Sequence, residues 1–337
     1  MEVKTTTVTL HSLCQAFLLS RQHLSPHTLE YYNIILAHLE WYAEHQGWPE
    51  DAQFITREHI RQFLAYVATE CNRWGNTKPH SSSARRASPA TVHHYGRVIK
   101  NMFRWVTDEE EYLPQNPTAR IKLGSPHYKE VEPYSDDEVK AMLDVCENEF
   151  RYRSRFLGSR NKAIISVFAD TGLRLDELAS IRLSDLGARL QQIRVMGKGT
   201  KMRIVPLQSE SRKALSRYLM HRPRDCGDWL WLNEDGGPLA KHSIKIMVQR
   251  LKHHAGVRSG GCVHRFRHYF ATRYLEAGGN PNLLRLLLGH STFDMVLHYA
   301  KYVSVKQALA EHERFSPLDR LYQQQRRRDS SEWGWRY

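Results

Sequence analysis

The sequence predicts a mainly α-helical chain in two domains, with a small β-sheet in the second. Three observations predict this. The first third carries capped segments whose apolar residues recur at steps of three and four, the period of a helix. Gln192 to Met196 and Met202 to Leu207 read as two short strands, with Gly197-Lys198-Gly199-Thr200 turning between them. Charge is divided unevenly along the 337 residues: residues 1–122 carry 13 Lys/Arg against 12 Asp/Glu, and residues 123–337 carry 36 against 24. A chain of this length makes about two domains at ~150 residues each.

The elements follow in order. A short helix covers His11 to Ser20. Ser25-Pro26 is a cap followed by proline at the first helical position, and Leu29, Tyr32, Leu36, Leu39 and Ala43 then share one face up to Gly47. A helix after Thr56 places Ile60, Phe63, Leu64, Val67 and Cys71 together. Asn76 to Ala87 is a polar loop carrying Lys78, Arg85 and Arg86. Ser88-Pro89 opens a helix with Val92, Tyr95, Ile99, Met102 and Val106 inward. Asn116-Pro117 closes the region. The expected boundaries are a helical domain over 1–122, a linker over 123–133 without clear period, a second domain over 134–315, and a C-terminal helix with a polar tail over 316–337.

In the second domain, Ser135-Asp136-Asp137-Glu138 caps a helix. An apolar helix is expected over Asn161 to Asp170, and others over Glu210–His221, Lys241–Ala255, Val263–Ala277 and Asn282–Leu288, with Asn280-Pro281 as a start and Gly289 as a stop. Ser316-Pro317 reads as one more start, with Leu318, Leu321 and Tyr322 on one face. Gln323 to Tyr337, with Arg326, Arg327 and Arg328, is expected to be a disordered tail.

Composition excludes several classes. No run of eighteen apolar residues exists to span a membrane, and Met1 to Leu10 holds no signal-length apolar stretch. Five widely spaced cysteines, with no Cys-x-x-Cys pair, argue against a disulfide framework and a structural zinc site. The expected setting is a reducing compartment, in the cytoplasm. A formal net charge of +13, concentrated after residue 122, points to a polyanionic partner, most often nucleic acid.

Short motifs in the second domain carry candidate chemistry. Thr171-Gly172-Leu173-Arg174-Leu175-Asp176-Glu177-Leu178 delivers Arg174 at a helix start, with Glu177 three residues on and able to orient it. Taken alone, the pair also reads as a surface ion pair. Gly197-Lys198-Gly199-Thr200-Lys201-Met202-Arg203-Ile204-Val205-Pro206-Leu207 puts Lys198 at a hairpin tip. It is not a nucleotide P-loop, because that pattern's first glycine would fall at Gln192. His264-Arg265-Phe266-Arg267-His268 sets His264 and Arg267 on one helix face, with Val263, Phe266 and Phe270 toward the core. Cys262 and His264 alone are too few for zinc. Leu287-Leu288-Gly289-His290 places His290 past a helix end, and Tyr299 follows nine residues later.

Taken together and in this order, these motifs resemble the tyrosine recombinase (phage integrase) family, over roughly Val131 to Arg314. The helices ending at Asn116-Pro117 also look like that family's core-binding domain. The resemblance implies a two-domain clamp around DNA, a helical core-binding domain joined to a mixed α+β catalytic domain. Its activity would be site-specific cleavage and rejoining through a 3′-phosphotyrosine, with strand exchange through a Holliday junction. It implies Arg174 and Arg267 as phosphate-binding arginines, Lys198 as the hairpin lysine, His264 and His290 as the flanking histidines, Glu177 and His268 as supporting residues, and Tyr299 as nucleophile. Lys78, Arg85, Arg86, Lys201 and Arg203 are DNA-binding candidates.

The chemistry suits these residue types. Two guanidiniums can clamp the non-bridging oxygens and stabilise the added charge of a pentacoordinate transition state. A tyrosine of pKa ~10 must lose its proton as it attacks. Lys198 is the candidate donor to the leaving 5′ oxygen. His264 can accept the tyrosine proton or hydrogen-bond the phosphate, and His290 can bind a phosphate oxygen. No metal or other cofactor is then required. The expected partners are double-stranded DNA with a specific recombination site and three further copies of the chain, the C-terminal segment passing between protomers, in association with the nucleoid. No arm-site-binding domain is expected before the helices. Two alternatives are a type IB topoisomerase, similar in chemistry but acting as a monomer, and a DNA-binding factor without catalysis, which would have no use for Tyr299.

Overall fold

The computed structural model describes residues 7–70, 74, 86–124, 132–197 and 202–289. It divides into two compact units, Met1–Lys129 and Glu130–Tyr337. Among the described residues, no helix is long and apolar enough to cross a membrane.

The first unit is built on α1 (Leu10–Ser20), α2 (Pro26–His45), α3 (Arg57–Thr69) and α4 (Pro89–Arg104). Each begins where a side-chain oxygen can take an orphan N–H: Thr9, Ser25, Thr56 and Ser88 all cap their helices. The buried faces meet in one core around Phe17, Ile35, Leu39, Tyr42, Ile60, Phe63, Ile99 and Met102. In α2 the inward stripe includes Ile35 and Tyr42 as well as Leu36, Leu39 and Ala43, while Leu29 and Tyr32 are only half-buried. α4 runs on into a π-helical turn, Trp105–Glu109, which the sequence did not reveal. Trp105 and Val106 in that turn are both buried in the core. Ile121, beyond Asn116-Pro117, is buried in the same core, and Leu123, at the start of the expected linker, packs against it. Cys71 and most of the expected 76–87 loop lie outside the described residues.

The second unit centres on α6 (Arg155–Thr171), packed between α5 (Asp136–Tyr152), α8 (Ser209–His221) and α10 (His264–Glu276). A capping box joins Ser135 and Glu138 at the start of α5. α6 starts six residues before the expected Asn161. Its first turns carry Ser159, Arg160 and Asn161, which break the apolar pattern yet are buried. Each is satisfied where it lies. Ser159 donates to the Arg155 carbonyl, Arg160 donates to the Leu232 carbonyl at 2.7 Å, and Asn161 donates to Glu149 at 2.7 Å.

β1 (Gln192–Met196) and β2 (Met202–Pro206) pair antiparallel, with Val195 opposite Arg203 and Met196 opposite Met202. The remaining helices are α7 (Leu175–Ala179), α9 (Lys241–His254) and α11 (Pro281–Leu288). No element was expected between α8 and α9, but Leu230, Trp231 and Leu232 are fully buried there. Isolated bridges pair Arg182 with Trp229 and Leu232 with Pro238, and the Trp231 indole donates to the Leu178 carbonyl at 2.9 Å. Val263, just before α10, and Phe266 on it join the main core as expected. Phe270 instead packs with Ala271, Leu275, Leu284 and Leu288, a smaller cluster that seats α11 on α10.

Candidate active site

The turn between α6 and α7 delivers the first arginine. Gly172 ends α6 in the left-handed conformation, φ 61°. A Cβ there would also come within 2.8 Å of both Leu288 and Phe270, so glycine is required by backbone and by space. Arg174 then stands at the N-cap of α7, its side chain 38% exposed. Glu177, one turn on, is buried. Its carboxylate accepts from the Arg174 backbone N–H at 2.8 Å and from Arg174 Nη1 at 3.1 Å.

The same carboxylate is gripped from β2. Arg203 Nη1 and Nη2 donate to its two oxygens at 2.8 and 2.9 Å, a bidentate pair. Burial alone would raise the Glu177 carboxyl. The Arg203 hydrogen bonds, the Arg174 backbone N–H and both positive charges outweigh it and hold the group at about 2. Glu177 is therefore a carboxylate throughout the neutral range.

α10 supplies the second arginine. Arg267 is 1% exposed. Its Nη1 donates to the Gly172 carbonyl at 2.9 Å and its Nη2 to the Leu288 carbonyl at 2.7 Å. The guanidinium thus holds together the turn before Arg174 and the end of α11. One turn earlier, His264 keeps an exposed surface. Burial first, then the charges of Arg267 and Arg174, push its imidazole below the ordinary 6.5, so it is neutral at pH 7. The His268 ring lies 5.1 Å from that of His264, edge to face. Among the described residues no group of three or more His, Cys, Asp or Glu is placed to hold a metal ion; the Cys262 thiol faces the Lys245 carbonyl at 3.6 Å.

Arg174, Glu177, His264, Arg267 and His268 are thus brought into one neighbourhood. Lys198 and Lys201, on the β1–β2 connection, lie outside the described residues, as do His290, Tyr299, Lys78 and Arg85. Arg86 is exposed in the first unit. Arg203 is placed differently from its sequence reading as a DNA contact. Its guanidinium turns inward to Glu177 and to the Leu287 carbonyl, leaving the side chain 14% exposed.

One basic surface was missed. A groove of 1520 Å³ in the first unit is lined by Tyr31, Arg97, Arg104, Arg120 and Lys122 among others. Positions 97, 100, 101 and 104 share the face of α4 opposite Ile99 and Met102. That spacing is legible in the sequence, as the polar complement of the apolar stripe on the same helix.

A model of the phage integrase family matches residues 134–304, half of the chain. The chain belongs to this family, that of the tyrosine recombinases. Among relatives of this integrase-family chain, the tyrosine recombinase XerC of Lactobacillus delbrueckii subsp. bulgaricus is 29% identical over 318 residues, covering 92% of this chain and 99% of the relative. The tyrosine recombinase XerD of Listeria innocua is 25% identical over 294 residues, covering 85% and 92%. The fold is similar to that of XerH site-specific recombinase bound to a palindromic difH substrate in a post-cleavage complex, with TM-score 0.68, 20% identity and coverage of 90% and 84%. It is also similar to the Tn1549 transposon integrase in complex with transposon right end DNA, with TM-score 0.67, 19% identity and coverage of 92% and 100%.

Proposed function

We propose a division of labour for the site-specific DNA recombination that this integrase-family chain carries out as a tyrosine recombinase. Arg174 and Arg267 bind the non-bridging oxygens of the scissile phosphate and stabilise the charge that builds as a fifth ligand reaches phosphorus. The Tyr299 hydroxyl attacks, forming a phosphorus–oxygen bond while the bond to the 5′ oxygen breaks. The phenolic proton leaves to a base, with neutral His264 as candidate, and the 5′ oxygen takes a proton from Lys198. The 3′-phosphotyrosine keeps the bond energy, so a 5′ hydroxyl reverses the step without ATP. Glu177 and His268 support, and His290 binds a phosphate oxygen.

The observation that carries this reading is the meeting of Arg174, Arg267 and His264. Arg267 donates to the Gly172 carbonyl, two residues before Arg174, and the His264 pKa is lowered first by burial and then by both guanidiniums. Such a neighbourhood is preorganised for an anion with one neutral imidazole beside it.

Residues 1–122 would serve as core-binding domain and 134–315 as catalytic domain, closing on duplex DNA, with Arg86, Arg97 and Arg104 on phosphates. Four protomers would pair two sites, exchange strands through a Holliday junction and pass the 316–337 segment between neighbours. Truncation after Phe315 would then leave one-site binding intact in gel shifts and abolish two-site complexes.

The test starts by sequencing DNA crosslinked to the chain to identify its site. A nicked suicide substrate carrying that site is then incubated with the protein and run on a denaturing gel. A second tyrosine, Tyr302, lies three residues after Tyr299, and wild type and Tyr302→Phe are both expected to give a covalent band. Tyr299→Phe is expected to bind DNA and give none, and the opposite pattern would move the nucleophile to Tyr302.

A further inference from the structure

Two successive carbonyls end α11, and an arginine from a different element caps each. Arg267 of α10 takes the Leu288 oxygen at 2.7 Å, and Arg203 of β2 takes the Leu287 oxygen through Nε at 2.9 Å. Carbonyls in a last helical turn have no partner inside the helix, and a cation there also meets the negative end of the helix dipole. Gly289 closes the helix at φ 65°, and a Cβ on it would lie 3.0 Å from Arg203 Nη1. The Arg203 guanidinium is therefore seated against the very end of α11.

Its other two nitrogens hold Glu177, which in turn holds Arg174. The chain of contacts runs from the Leu287 carbonyl through Arg203 and Glu177 to the Arg174 guanidinium, with every donor–acceptor distance between 2.8 and 3.1 Å. The Arg174 guanidinium reaches Glu177 through a single nitrogen, the second carboxylate oxygen taking the Arg174 backbone N–H, and Arg174 remains partly exposed while Arg203 is mostly enclosed. Without Arg203, the buried carboxylate would keep a single cation, and the charge that holds it would have to come from Arg174 alone.

We infer that Arg203 is a positioning residue for the recombination reaction: it occupies Glu177 bidentately so that Arg174 stays presented to the scissile phosphate, and it anchors that pair to the end of α11. The inference rests on the proposed role of Arg174 and adds a function that a DNA-contact reading of Arg203 does not contain. A lysine would keep the charge but cannot form the fork or reach the Leu287 carbonyl at the same time.

The experiment is a double-mutant cycle on single-turnover cleavage of the nicked suicide substrate, with binding to the intact site measured in parallel and thermal melting as a check on folding. Arg203→Met is expected to slow cleavage roughly tenfold to a hundredfold, with site affinity within about threefold of wild type. Arg203→Lys is expected to recover part of the loss. In an Arg174→Ala background, Arg203→Met is expected to cost little more, because the group it positions is gone. A substrate with sulfur as the 5′ leaving atom is expected not to restore Arg203→Met, since the defect lies in phosphate charge stabilisation. If Arg203→Met does not fold, the same cycle is run with Arg203→Lys. Costs that multiply across the cycle, rescue by the sulfur substrate, or wild-type cleavage by Arg203→Met would each overturn the inference. A wild-type chain that binds its site but yields no covalent band overturns the inference together with the proposed function; a normal wild-type band with multiplying costs overturns the role of Arg203 alone.

Discussion

Arg174 and Arg267 differ in setting although both are assigned to one phosphate. Arg174 is partly exposed at a helix start and shared with Glu177, whereas Arg267 is enclosed between two backbone carbonyls. Losing Arg267 would also unpair the Gly172 and Leu288 carbonyls, so Arg267→Ala is expected to lower the melting temperature as well as cleavage, while Arg174→Ala lowers cleavage alone. Removal of one preorganised donor costs ~10²–10³ in rate, the loss expected for Arg174→Ala and for Lys198→Ala. A 5′-sulfur substrate, whose leaving atom needs no proton, is expected to restore Lys198→Ala and not Arg174→Ala. For His264 the sign follows from its lowered pKa. The imidazole stays neutral down through the ordinary 6.5 and gains its proton only at lower pH. Cleavage followed from about pH 8 to about pH 5 is therefore expected to hold past 6.5 before it falls, and His264→Gln is expected to remove that acid limb.

The elements that carry these residues were legible where local chemistry alone decides them. Ser25-Pro26, Ser88-Pro89, Ser135 with Glu138, and Asn280-Pro281 each fix a helix start through one capping oxygen or one imide ring. Legibility failed where tertiary partners decide. The early turns of α6 look polar until Leu232 and Glu149 are seen to satisfy them, and Arg203 looks like surface charge until Glu177, distant in sequence, is found against it. Gly172 lies between these cases, since its helix-ending role is local and its crowding against Leu288 and Phe270 is not. Gly172→Ala adds a left-handed strain of ~1–2 kcal/mol to an overpacking cost of ~1–3 kcal/mol. The melting transition of the second unit is expected to drop by roughly 5 °C or more. Because the turn leads into Arg174, cleavage is expected to fall further than site binding. A melt within a degree of wild type would mean that the turn relaxes freely and is not a rigid seat.

At the scale of the molecule, the charge distribution decides how the chain meets DNA. Residues 123–337 hold 36 Lys/Arg against 24 Asp/Glu, and residues 1–122 are near balance at 13 against 12. Part of the second unit's positive charge is paired with acids, and its outward field comes from the excess that is left. Arg203, Arg217, Arg250 and Arg265 are bound to Glu177, Glu147, Glu149 and Glu138, and contribute little to an outward field. In the near-neutral first unit, by contrast, Arg97, Arg104, Arg120 and Lys122 are gathered around one groove, so local geometry supplies what net charge does not. A clamp that uses both surfaces and neutralises ~8 phosphates is expected to show log K falling with log salt at a slope near −7. The measurement is a titration of the full chain onto its site at several salt concentrations. Arg97→Ala with Arg104→Ala is expected to make the slope shallower by about 1 to 2, lowering affinity for unrelated duplex as much as for the site. A slope shallower than about −3 in the unaltered chain would mean that the basic excess serves solubility and not contact. A steep slope untouched by the double substitution would instead put the phosphate contacts on the second unit alone.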